Sequence, residues 1–62
     1  MDKASYEYTR GLLIAQRKKL MDILESQGDF PDPKLIAAYD DNKYRIIELD
    51  AQWARIERES HV

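Results

Sequence analysis

The chain has 62 residues, no cysteine, and ten basic against twelve acidic residues, for a net charge of −2. The length allows one small domain, the missing cysteines exclude disulfides and thiolate metal ligands, and the charge balance lacks the basic footprint of a duplex-binding protein. A chain this short buries only about 60% of its unfolded surface, so we expect regular helix packing or self-association to stabilise it.

No membrane span or export signal is predicted. The longest unbroken apolar run is 12–15, whereas a membrane-spanning helix needs roughly 20 apolar residues. The N-terminus carries Asp2 and Glu7 and has no apolar core of signal-peptide length. We therefore expect a cytoplasmic protein that does not enter a membrane.

The first half of the chain predicts one long helix, from about 3 to 27. Asp2 is suited to cap its start, and Gly28 stands where a left-handed residue commonly ends a helix. One set of residues recurs at alternating intervals of four and three, which is typical of a packed helix face. We call such a set a seam. That seam consists of Tyr6, Arg10, Leu13, Arg17, Leu20, Leu24 and Gln27.

A turn at 28–32 separates this helix from a second one, predicted over about 33–60. Asp32 and Pro33 are a typical helix start, because the proline supplies a first-turn residue that needs no N–H partner. The same four-and-three spacing defines a second seam: Leu35, Tyr39, Asn42, Ile46, Leu49, Trp53 and Ile56.

Folding the chain back at the turn pairs the two seams in one register. From Leu24–Leu35 to Tyr6–Trp53, the residue numbers of each pair add to 59. The prediction is an all-α antiparallel two-helix hairpin, a single domain over 1–62, that dimerises into a four-helix bundle. Arg17 and Asn42 share a central layer, which we interpret as a device that fixes register; the alternative is a site in which Arg17 holds a carboxylate or phosphate.

A second apolar stripe on each helix exceeds what one hairpin can bury, and such stripes mark interaction surfaces. We therefore expect a homodimer and a second protein partner, with nucleic acid outside the expected partners. The predicted partner-binding residues are Tyr8, Leu12, Ala15, Tyr44 and Ile47, together with Arg17.

Nothing in the sequence predicts catalysis. The three serines lack a neighbouring base, and no glycine-rich phosphate loop is present. Glu57 and His61 lie one helical turn apart and offer two metal ligands, too few for a site. We expect a protein that is not an enzyme and that holds no cofactor or metal.

Two known groups of helical hairpins resemble this chain. In length and heptads it is similar to the plasmid repressor-of-primer type, which implies a dimeric four-helix bundle that binds paired RNA loops. The stretch from Ile14 to Ile36 resembles the small sporulation-regulatory aspartyl-phosphate phosphatases. The residues that carry the second resemblance are Ile14, Arg17, Leu20, Gly28 and 32–36.

The phosphatase signature Ser-Gln-x-x-Asp is absent, since its positions hold Tyr39, Asp40 and Lys43. The sequence thus favours a small regulator that binds proteins through its helix faces. An RNA-binding bundle, or a diverged phosphatase relative without the signature, are the alternatives.

Overall fold

The computed structural model describes residues 1–60 and consists of two α-helices packed against each other. Helix α1 spans Lys3–Ser26 and helix α2 spans Pro33–Ser60. The hairpin measures 51 × 16 × 12 Å, so it is a rod only two helices wide. The prediction of an all-α hairpin is confirmed. Neither helix has a stretch that is both long and apolar enough to cross a membrane.

Both ends of α1 follow the signals in the sequence. The Asp2 carboxylate accepts a 2.7 Å hydrogen bond from the backbone N–H of Ser5, as a capping residue does. After Ser26 the chain turns away at Gly28, whose φ is +67°. Glycine adopts this left-handed conformation without the steric penalty of a side chain, which explains why the helix ends here.

The turn is closed by side chains on either side of it. The Gln27 side-chain oxygen accepts a 2.7 Å hydrogen bond from the backbone N–H of Asp32. The Asp32 carboxylate in turn accepts a 2.9 Å bond from the N–H of Lys34, which caps α2. Pro33 is the first residue of α2, where its missing N–H costs nothing.

The two seams face each other along the whole hairpin. Every residue of both predicted seams is buried or half-buried. The rings of Tyr6 and Trp53 stack with centroids 4.9 Å apart, at the end of the hairpin away from the turn. The predicted register is confirmed at this pair, because Tyr6 and Trp53 are the residues that the register places in one layer.

The core is nevertheless thin. Within residues 1–60, Ile46 and Leu49 are the buried apolar residues, still 8% and 7% exposed, and Asn42 is the buried polar one. Each helix touches one neighbour only, so both flanks of the seam remain open to solvent.

Candidate interaction surfaces

A polar cluster joins the helices near the Tyr6–Trp53 stack. The Tyr6 hydroxyl donates a 2.7 Å hydrogen bond to Asp50 Oδ1, and Arg10 Nε donates to the same oxygen at 3.1 Å. These bonds, led by the one from Tyr6, hold the pKa of Asp50 below its ordinary value. The bond to Asp50 likewise raises the pKa of Tyr6 and that of Arg10. The three groups satisfy one another and fix α1 against α2.

In the central layer Arg17 and Asn42 have separate partners. Arg17 donates to the Tyr39 hydroxyl from Nε at 3.3 Å and from Nη2 at 3.2 Å. Its guanidinium carbon lies 5.5 Å from the centre of the Tyr39 ring. The acidic residues nearest in sequence, Asp40 and Asp41, follow Tyr39 by about 100° and 200° around α2 and therefore point away from the seam.

Asn42 spans the seam by a bond to the backbone of α1. Its Nδ2 donates to the Leu13 carbonyl at 2.9 Å and lies 3.5 Å from the Gln16 side-chain oxygen. The side chain is only 3% exposed, and its Oδ1 has no hydrogen-bond partner within residues 1–60. An unpaired buried oxygen lowers stability, which fits a residue kept for register.

One flank of the seam carries a surface depression that we call the cationic groove, with a volume of about 340 Å³. Three apolar and three basic side chains line it. Within residues 1–60, Asp50 is the carboxylate that pairs with one of these basic residues, Arg10. The residues that line the groove are Arg10, Ile14, Arg17, Lys18, Met21 and Ile46.

A second depression, the helix-1 groove, has a volume of about 480 Å³ and shares no residue with the first. It contains one basic residue, so it is less charged than the cationic groove. The residues that line it are Thr9, Leu12, Leu13, Ala15, Gln16 and Lys19.

The predicted partner-binding residues do not share one surface. Leu12 and Ala15 meet in the helix-1 groove, and Tyr8 lies one turn before Leu12 on α1. Arg17 lines the cationic groove instead. Tyr44 and Ile47 are exposed on α2, outside both grooves.

Sequence reasoning missed the cationic groove as a unit. Met21 and Ile14 appear in the sequence as residues beside the seam, and Lys18 as part of a short basic run. The signal was available in their spacing, since Ile14 and Met21 lie two helical turns apart, with Arg17 and Lys18 between them.

No cluster of three or more His, Cys, Asp or Glu side chains occurs in the part of the chain that the structure describes. The pair of Glu57 and His61 considered in the sequence is not tested by this observation, because His61 lies outside the described residues.

Comparison with known proteins leaves these surfaces as the basis for assigning a function. The similarity to repressor-of-primer proteins and to sporulation phosphatases is one of length, spacing and a few residues. No family model, curated protein or solved structure matches the chain.

Proposed function

We propose that the chain is a small cytoplasmic regulator that binds other proteins through its helix faces and acts as a homodimer. Two hairpins would pack into a four-helix bundle, and a further protein would bind the dimer. This assignment needs neither a cofactor nor catalysis, since helix faces alone provide the binding surface.

The observation that supports the proposal is the mismatch between a thin core and a large exposed apolar surface. The buried apolar residues within 1–60 are Ile46 and Leu49. In contrast, Tyr8 and Tyr44 are each 70% exposed, and Leu12 and Ile47 are more than half exposed. Exposed apolar side chains beyond those that the seam covers are typical of protein-binding surfaces, and a chain of this length is only marginally stable without further burial.

The test is the solution mass measured by sedimentation equilibrium over a concentration series. We expect the mass to approach twice the 7.3 kDa of one chain. Ile47→Asp is expected to shift the mass toward one chain, because it places a charge in a surface that the dimer buries. Gln52→Asp is the matched control, since it makes the same charge change at a polar exposed position of α2.

Two results would count against the proposal. A wild-type mass of one chain throughout the series would exclude the homodimer. An unchanged dimer in Ile47→Asp would show that the exposed apolar residues of α2 do not contribute to it.

A further inference from the structure

The cationic groove continues from α1 onto the neighbouring side of α2. Asp50 of α2 bonds Arg10, which lines the groove. Residues seven apart lie on the same face of a helix, so Lys43 and Ile36 follow Asp50 in one row along this flank. Both are exposed. In the register of the hairpin, which the Tyr6 stack on α2 fixes, Lys43 lies close to the middle of the groove.

The middle of this flank has more cations than carboxylates. Arg17, Lys18 and Lys43 take part in no ion pair within residues 1–60. Arg17 donates its hydrogen bonds to the hydroxyl of Tyr39, which is a neutral acceptor. Asp40, one turn before Lys43, is the carboxylate beside these three cations, and it also forms no ion pair within that range. Three cations against one carboxylate leave +2.

Apolar side chains border these cations, and carboxylates follow at both ends. Ile14 and Met21 of α1 line the groove on either side of the cations, seven residues and about 10 Å apart. Towards the termini, Glu7 lies seven residues before Ile14. Towards the turn, Glu25 lies four residues after Met21. The flank therefore offers two helical turns of apolar and cationic surface between acidic ends.

We propose that the cationic groove binds an acidic amphipathic helix of another protein. The inference rests on the proposed protein-binding function and specifies the partner. A helix that lies along the groove presents its residues i, i+3, i+4 and i+7 to it. Apolar residues at i and i+7 match the spacing of Ile14 and Met21. Acidic residues at i+3 and i+4 then lie beside Arg17, Lys18 and Lys43.

The same charges disfavour a second copy of the chain in this groove. Two copies placed face to face bring Lys43 of one chain to Arg17 and Lys18 of the other, or Arg17 to its own counterpart. Each copy has one carboxylate there, Asp40, to offset three cations, so the juxtaposed like charges weaken the contact. Ile47, whose replacement tests the homodimer, does not line the groove, so different residues test the two contacts.

The composition of the groove also favours a protein over a nucleic acid. Half of the residues that line it are apolar, and acidic side chains close both ends. A nucleic-acid surface instead collects basic residues along a stripe, and phosphates gain nothing from Ile14 and Met21. A helix with carboxylates and apolar groups on one face satisfies both kinds of lining residue.

The test uses a synthetic helix with the expected face. An alanine-rich peptide of about 20 residues, long enough to be helical, carries the stretch Leu-Ala-Ala-Glu-Glu-Ala-Ala-Leu and a fluorescein label. Fluorescence anisotropy at constant ionic strength gives its dissociation constant with the full chain. We expect this acidic peptide to bind on the order of tenfold more tightly than a matched basic peptide, in which lysine replaces both glutamates.

Charge variants of the chain locate the contact. Lys18→Glu and Lys43→Glu are each expected to weaken binding of the acidic peptide on the order of tenfold, because each turns an attraction into a repulsion. Lys34→Glu is the control, with the same charge change at an exposed residue that lines neither groove. Its effect is expected to stay within about twofold, since salt screens distant charges. The basic peptide is expected to bind Lys18→Glu more tightly than wild type.

A second matched pair tests the apolar part of the groove. Met21 and Ile23 are 40% and 43% exposed, but Met21 alone lines the groove. Met21→Gln removes apolar surface without adding charge and is expected to weaken peptide binding about fivefold. Ile23→Gln is expected to leave binding unchanged, with the helix content of both variants checked by circular dichroism.

Three results would overturn the inference. The first is an acidic peptide that binds no more tightly than the basic one, or equal binding by Lys18→Glu and Lys34→Glu. The second is loss of the wild-type dimer in Met21→Gln, which would place a second copy in the groove. The third is a single-stranded RNA oligonucleotide that binds more tightly than the acidic peptide and is indifferent to Met21→Gln.

The sedimentation experiment separates this inference from the proposed function. A dimer that Ile47→Asp dissociates, but that ignores the acidic peptide, leaves the proposed function standing and overturns the inference. A chain that stays monomeric, but binds the acidic peptide through Lys18 and Lys43, removes the homodimer and supports the inference.

Discussion

Asn42 is the residue at which stability and specificity conflict most clearly. Its Nδ2 bonds the Leu13 carbonyl, which as part of α1 already accepts the helical N–H of the residue four positions on. Its Oδ1 lies in the buried seam without a partner among residues 1–60. The Asn42 amide therefore bonds a carbonyl that already has a backbone partner, and burying its own unpaired oxygen costs free energy.

Replacing Asn42 by leucine is expected to raise the free energy of unfolding by about 1 kcal/mol, because an unpaired buried oxygen is exchanged for an apolar group. The same substitution is expected to let the two helices shift register more readily, because a single polar seam residue helps to fix the register. Urea unfolding at one fixed protein concentration measures the first effect. A lower unfolding free energy in Asn42→Leu would show that the bond to Leu13 outweighs the unpaired oxygen.

The Tyr6–Arg10–Asp50 cluster predicts two pH limits to stability. Because the pKa of Asp50 is lowered on folding, its contribution is complete above about pH 4 and is lost as the pH falls through the folded-state value. Because the pKa of Tyr6 is raised, its contribution is complete below about pH 10 and is lost as the pH rises through the folded-state value.

Thermal unfolding across the pH range checks both limits. Relative to wild type, Asp50→Asn is expected to show a weaker loss of Tm in acid. Tyr6→Phe keeps the ring that stacks on Trp53 and is expected to show a weaker loss in alkali. Variants whose Tm profiles run parallel to the wild type at every pH would show that the cluster contributes nothing to stability.

At the scale of the helices, the two glycines predict opposite effects of the same substitution. Gly11 lies inside α1, where an added Cβ has no atom within 4 Å, whereas Gly28 has a φ of +67°. Gly11→Ala is therefore expected to stabilise the hairpin, and Gly28→Ala to destabilise it, each by about 1 kcal/mol. Urea unfolding of the two variants side by side gives the comparison, and equal shifts in the same direction would contradict it.

The helices and their pairing follow from local signals in the sequence. The capping bond of Asp2, the left-handed Gly28 and the restart at Asp32 and Pro33 all occur where the residue types predict them. The four-and-three spacing also gives the register, because one alignment buries both seams at once. These features depend on neighbours within one or two helical turns, which a sequence displays directly.

The contacts of long polar side chains were not predictable in the same way. Layer pairing places Arg17 beside Asn42, but a guanidinium reaches several ångströms along the helix and bonds Tyr39 instead. Arg10 similarly bonds Asp50, a residue next to the seam and not in it. Spacing fixes where a Cβ lies, whereas the position of a charged end group depends on which acceptors remain free.

At the scale of the whole molecule, the hairpin divides its surface into two flanks. The apolar stripe of a single helix does not show on which flank of the seam it lies, because the flank depends on the direction of the partner helix. The predicted surface of Tyr8, Leu12, Ala15, Tyr44 and Ile47 is therefore split between the outer sides of α1 and α2. The antiparallel pairing brings Ile14 and Met21 of α1 beside Ile46 of α2 in the cationic groove.

The stack of Trp53 on Tyr6 gives the rod an internal spectroscopic reporter. Trp53 is the only tryptophan in the sequence, and its stack on Tyr6 lies at the end of the hairpin away from the turn. Its fluorescence therefore follows the separation of that end alone, while circular dichroism follows helix content along the full length. Recording both signals through one melt distinguishes a hairpin that unzips from its termini from one that unfolds in a single step.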